Sequence, residues 1–125
     1  MQNLAQNSKL EVKYRAFYLS LNIIQFLDSL QSQKSSLRII SDQLIRSITS
    51  IGANIVEAKA SASKRDFINY LQIALKSANE AKYWLALLKE LIPQKKSEIE
   101  IFIRETGEIS KIIGSSVLTM KGKRL

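Results

Sequence analysis

Apolar residues recur at spacings of three and four in four stretches of the chain, and no stretch alternates every second residue. In the first stretch Tyr14, Phe17, Leu21, Ile24 and Leu27 fall on one helical face. The second runs Leu37, Ile40, Leu44, Ile48, Ile51 and Ile55, with Ile45 and Val56 extending the stripe on one flank. The third is the most regular: Phe67, Leu71, Ala74, Ala78, Ala81, Leu85, Leu88 and Ile92 alternate fours and threes. The fourth supplies Ile99, Phe102, Ile103, Ile109, Ile113, Val117 and Met120. Short polar breaks at 32–35, 59–64 and 92–97 separate them, each of a length that joins antiparallel neighbours.

This pattern predicts helices over about 10–31, 36–59, 64–92 and 96–120 in a single domain spanning 1–125. Ser63, with Asp66 three residues on, reads as a helix N-cap, and Pro93 ends the third helix because it lacks an amide proton and clashes with the preceding turn. Gly107 and Gly114 weaken the fourth helix by roughly 1 kcal/mol each relative to Ala. The fold class that follows is all-α, an antiparallel up-down-up-down four-helix bundle.

One face of the second helix breaks the simple pattern. Beside its apolar stripe, Ser47, Asn54, Ser50, Glu57 and Arg46 follow one another around the cylinder as a strip of small and polar groups. Arg46 and Glu57 share nearly one direction but stand about 16 Å apart along the axis, at 1.5 Å per residue, so they cannot pair within the helix. The third helix carries more apolar surface than one buried face requires: Ile73, Trp84, Leu87 and Leu91 widen it, with Ser77 and Glu80 among them. Two readings stay open. In one the polar groups are solvated and Asp42 pairs with Arg46 as an ordinary i,i+4 couple. In the other, Arg46, Ser47, Ser50, Asn54, Glu57 and Glu80 form a buried or interfacial network that fixes register, while Ile73, Trp84, Leu87 and Leu91 contact another subunit.

Composition narrows the chemistry. The 125 residues are 46% hydrophobic and contain neither cysteine nor histidine, which removes disulfides, thiolate nucleophiles, imidazole metal ligands and a histidine base. Asp42, Glu57 and Glu80 are carboxylates without an activating partner, Ser47 and Ser50 are hydroxyls without a base, and no glycine-rich phosphate loop occurs. The expectation is therefore no enzyme, no metal and no cofactor. The amino terminus lacks the pattern of a cleaved leader, and no long apolar run is present, so a cytoplasmic protein with no membrane partner is expected.

Nineteen Lys and Arg against eleven Asp and Glu leave a net charge of +8, which favours acidic partners such as nucleic acid. Phosphate-contact candidates are Lys59, Lys64, Arg65, Lys95, Lys96, Lys121, Lys123 and Arg124, with Lys9, Lys13 and Arg15 in addition. No helix-turn-helix, zinc finger or RNA-recognition motif accompanies them, so base-specific readout has no support. Tyr70, Tyr83 and Trp84 could stack on bases, though aromatics at this spacing more often sit in a core or an interface, and Trp84 is assigned to the interface.

The centre of the chain resembles a known family. The pattern R-S-x-x-S-I-x-x-N-I-x-E falls on Arg46, Ser47, Ser50, Ile51, Asn54, Ile55 and Glu57. It is followed by S-x-x-x-F-x-x-x-L-x-I-A-x-x-S-x-x-E on Ser63, Phe67, Leu71, Ile73, Ala74, Ser77 and Glu80. Both resemble the four-helix-bundle proteins encoded in intervening sequences of bacterial 23S rRNA genes, a family similar to the accessory variability determinants of diversity-generating retroelements. Where that family usually has Gly after the Glu of the first motif, this chain has Ala58, so its second helix is expected to run further. The resemblance implies a homopentameric barrel and, for the retroelement members, binding to nucleic acid and to a reverse transcriptase.

Two functional classes follow from the residues and the resemblance together. One is a non-catalytic homo-oligomer that binds RNA or DNA through phosphates or acts as a scaffold. The other is a protein-interaction adaptor, for example accessory to a reverse transcriptase, that does not touch nucleic acid.

Overall fold

A computed structural model describes residues 10–32 and 34–122. Four helices account for nearly all of them: α1 (Val12–Ser29), α2 (Ser35–Ala60), α3 (Lys64–Leu91) and α4 (Lys96–Met120). A single 3₁₀ turn, Pro93–Lys95, joins α3 to α4. Each helix packs against its neighbours in the order α1, α2, α3, α4 and back to α1, with the most extensive contact between α2 and α3. Connections this short between helices that pack along their length make consecutive helices antiparallel.

The helix ends follow from local chemistry. Ser63 has extended backbone, and its hydroxyl accepts the Asp66 amide at 3.1 Å, so it caps α3 as its spacing predicts. Pro93 starts the 3₁₀ turn two residues after α3 ends. The second helix does run on past Glu57, to Ala60, and Ala58 is buried in the core.

The core is one apolar cluster drawn from all four helices. Leu44, Ile48, Ile51 and Ile55 of α2 face Leu85, Leu88 and the small side chains Ala74, Ala78 and Ala81 of α3, all at 1% exposure or less. Three alanines in a row let the two backbones come close, which accounts for the tight α2–α3 pairing. Ile99, Ile109 and Ile113 of α4 complete that side, and Phe26 of α1 meets Phe102 edge to face at 5.4 Å between ring centres. Burying each of these large side chains contributes about 1.5–3 kcal/mol before the entropy of ordering it is subtracted.

The first helix turns the other way from its most obvious pattern. Tyr14 and Phe17 are 48% and 60% exposed, Leu21 and Ile24 are half-buried, and of that stripe only Leu27 is buried. The buried face is instead Ala16, Leu19, Ile23 and Phe26, a second series with the same three-four spacing. Close approach decides between them. A Cβ placed on Gly52 of α2 would lie 3.5 Å from the Ala16 Cβ, so α1 sits tightly on α2 where both residues are small. The Ser20 hydroxyl ties the pair by donating to the Ile48 carbonyl at 3.1 Å. Val56, expected to extend the core stripe, is 57% exposed on the flank of α2 that borders α1, and Ile45 is half-buried.

Candidate functional surfaces of the bundle

The residues of the α2 polar strip separate into two groups. Ser50, Asn54 and Ser77 come together on the α2–α3 seam: the Ser50 and Ser77 hydroxyls lie 2.8 Å apart, and the Asn54 amide donates to the Ser50 carbonyl at 2.8 Å and to its hydroxyl at 3.0 Å. Asn54 therefore back-bonds to its own helix while Ser50 reaches across. Ser47 is buried and donates to the Leu44 carbonyl at 3.1 Å.

Arg46, Glu57 and Glu80 are exposed, and none makes a side-chain hydrogen bond or ion pair among the described residues of a single chain. A within-chain network that includes them is thereby corrected: geometry keeps Arg46 and Glu57 on the outward strip of α2. The couple expected between Asp42 and Arg46 is likewise not formed.

On α3, Ile73 and Leu91 are 45% and 50% exposed, Leu87 is half-buried, and Trp84 is half-buried with its indole Nε1 enclosed and lacking a hydrogen-bond partner. With Ile39 of α2, 61% exposed, they make the α2–α3 seam an apolar surface on the single chain.

A second surface lies between α1 and α2. The exposed stripe of α1 borders a groove of about 670 Å³ walled by Tyr14, Phe17, Leu21, Ile24 and Val56, with Gly52 at its floor and Lys13 at its edge. The Lys13 ammonium lies 5.0 Å from the centre of the Tyr14 ring.

The basic candidates divide between the two ends of the bundle. Lys59, Lys64, Arg65 and Lys121 stand at the end where α1 begins, α2 turns into α3, and α4 finishes. Lys59 contacts Glu11 at 3.5 Å, whereas Lys64, Arg65 and Lys121 are exposed and unpaired among the described residues. Lys95 and Lys96 stand at the opposite end, where Glu98 and Glu100 contact them at 3.7 and 3.9 Å. Lys9, Lys123 and Arg124 lie outside the described residues.

Arg15 leaves the list of phosphate candidates. It is 7% exposed between α1 and α4, where Nε and Nη2 donate to the two carboxylate oxygens of Glu105 at 2.9 and 2.6 Å. Hydrogen bonding to Glu105 raises the guanidinium pKa above its ordinary value, against the opposing pull of burial. Pattern reading missed this pair because ninety residues separate its members. The available signal was Arg15 standing four residues before Leu19, and Glu105 lying between Phe102 and Ile109, on the buried faces.

Among the described residues no cluster of acidic side chains is placed to hold a metal ion, and no helix is long and apolar enough to cross a membrane. What fold and surfaces define is a small, strongly basic four-helix bundle with apolar side chains left exposed along two of its sides. More particularly, the chain belongs to the 23S rRNA-intervening sequence protein family, whose model matches residues 8–115. It is also similar to a crystal structure of a protein of unknown function from the S23 ribosomal protein family of Bacteroides thetaiotaomicron. That similarity has 36% identity and a TM-score of 0.76 over 86% of this chain and 98% of the other. No curated protein matches the chain.

Proposed function

We propose that the protein is a non-catalytic, basic homo-oligomer, a ring of five as the family resemblance implies, that binds RNA or DNA through phosphates and serves as a scaffold. The observation that carries this reading is the set of exposed, unpaired cations Lys64, Arg65 and Lys121 gathered at one end of the bundle. Lys64 and Arg65 also occupy the first turn of α3, where unpaired amides and the helix dipole favour an anion. At +8 per chain, five copies carry +40, which favours a polyanion over a small ligand. Contacts of this kind position a backbone without reading its sequence.

The test is fluorescence anisotropy with structured RNA and with duplex DNA across a salt series. Binding should weaken linearly in log–log form, and Lys64→Ala combined with Arg65→Ala should lower the slope by about 1.4–1.8, at 0.7–0.9 per phosphate contact. Lys95→Ala with Lys96→Ala, at the opposite end, should change it less. Absence of binding at about 50 mM salt, or binding without salt dependence, would sink the reading. Capture of an acidic protein in place of nucleic acid would transfer support to the adaptor reading.

A further inference from the structure

The two apolar surfaces adjoin one another across α2 and differ in character. Of the nine large apolar side chains exposed among the described residues, Tyr14, Phe17 and Val56 belong to the α1–α2 groove, and Ile39, Ile73 and Leu91 to the α2–α3 seam. So much unpartnered apolar area on two sides of a 125-residue bundle marks contact surface. We propose that the groove of one copy receives the α2–α3 seam of a second copy, so that copies join head to tail through unlike faces. The proposal rests on the oligomeric part of the reading above and specifies its contact.

Charge argues for a second copy, and for unlike faces. The groove edge carries Lys13, which lines its wall, while the seam carries Glu80 in the row that runs from Ile73 through Ser77 to Leu91. Ser77 fixes which way that row faces, because its hydroxyl meets Ser50 of α2. Glu80 is exposed and has no partner within the described residues, so a copy that brings Lys13 supplies the missing cation. Groove on groove, or seam on seam, would instead bring together faces of one sign. Arg46 and Glu57, one of each charge, occupy the outward strip of α2 between the two surfaces and favour neither arrangement.

Geometry adds closure. With four helices at the corners of a square, neighbouring sides face directions about 90° apart. Joining one side of a copy to the adjacent side of the next therefore turns each copy by about that angle, and the chain of contacts returns on itself. A turn of about 90° closes a ring of four and a turn of about 72° a ring of five. A two-fold dimer would use one face twice and leave the other uncovered.

The experiment is complementation between two face-specific variants, read as mass by light scattering. Phe17→Asp spoils the groove and Ile73→Asp spoils the seam; both positions are exposed in the single chain, so the bundle should keep its helicity. The wild-type protein should show a multiple of 14.2 kDa and each variant alone about 14.2 kDa. An equimolar mixture should recover a two-copy species, because one partner keeps an intact seam and the other an intact groove.

A mixture that stays at single-chain mass would overturn the proposal, as would dissociation of only one variant. If both variants keep the wild-type mass, another surface makes the assembly and only this contact falls. A wild-type monomer removes the contact and the oligomeric reading together, while salt-dependent RNA binding is scored separately. Should either Asp variant lose its helicity, Phe17→Ser and Ile73→Ser carry the same comparison.

Discussion

Replacing Arg15 by Met removes one member of a nearly buried, two-bond ion pair and leaves Glu105 enclosed with its counter-charge gone. Both side chains are less than one-tenth exposed, so water restores little of what is lost. Breaking such a pair from one side costs about 3–5 kcal/mol, most of it the penalty of an uncompensated buried charge. For a chain of 125 residues, at about 2.1 cal/mol/K per residue, the unfolding entropy is about 0.26 kcal/mol/K. The thermal midpoint should therefore fall by about 11–19 °C. Whole-domain stability is about 5–15 kcal/mol, so this one substitution removes a large share of it.

The reverse comparison gives the argument its edge. Arg15→Met together with Glu105→Leu replaces both charges by apolar groups of similar reach. That double variant should regain wild-type stability or exceed it, because the desolvation of two ions disappears with their attraction. Urea unfolding followed by far-UV circular dichroism, at one fixed protein concentration, measures all four corners of the cycle. If Arg15→Met costs less than about 1 kcal/mol, or the double variant loses the sum of the two single effects, burial and pairing at this site are not what the geometry says.

Gly107→Ala and Gly114→Ala should each raise stability by up to about 1 kcal/mol in the same urea assay, because a Cβ at either position meets nothing within 4 Å and the helix gains propensity. Ser63→Ala should lower stability by about 0.5–2 kcal/mol, read as a lower thermal midpoint, since it removes the acceptor of the Asp66 amide at the start of α3; Ser63→Asn should largely preserve it.

The interior was most legible where a helix had one apolar stripe. In α3 the alternation of fours and threes leaves a single choice of face, and Leu71 through Leu88 are buried as the spacing demands. The cap at Ser63 and the stop near Pro93 are likewise local, because each depends on a few neighbouring backbone groups. Family membership was legible in the spaced motif of α2 and α3, where identity and separation of residues coincide over two adjoining helices.

In α1 periodicity offered two stripes about half a turn apart, and sequence could not rank them. Packing ranked them, through the small contact of Ala16 with Gly52, which brings two helix backbones close only when α1 turns Leu19 and Ile23 inward. The same rotation placed Tyr14 and Phe17 on the wall of a groove and carried Arg15 against Glu105. Local pattern determines which residues can share a face, because helix geometry repeats every few residues. Which face is buried, and which distant charge an arginine meets, depends on contacts between helices, and these exist only once the bundle has closed.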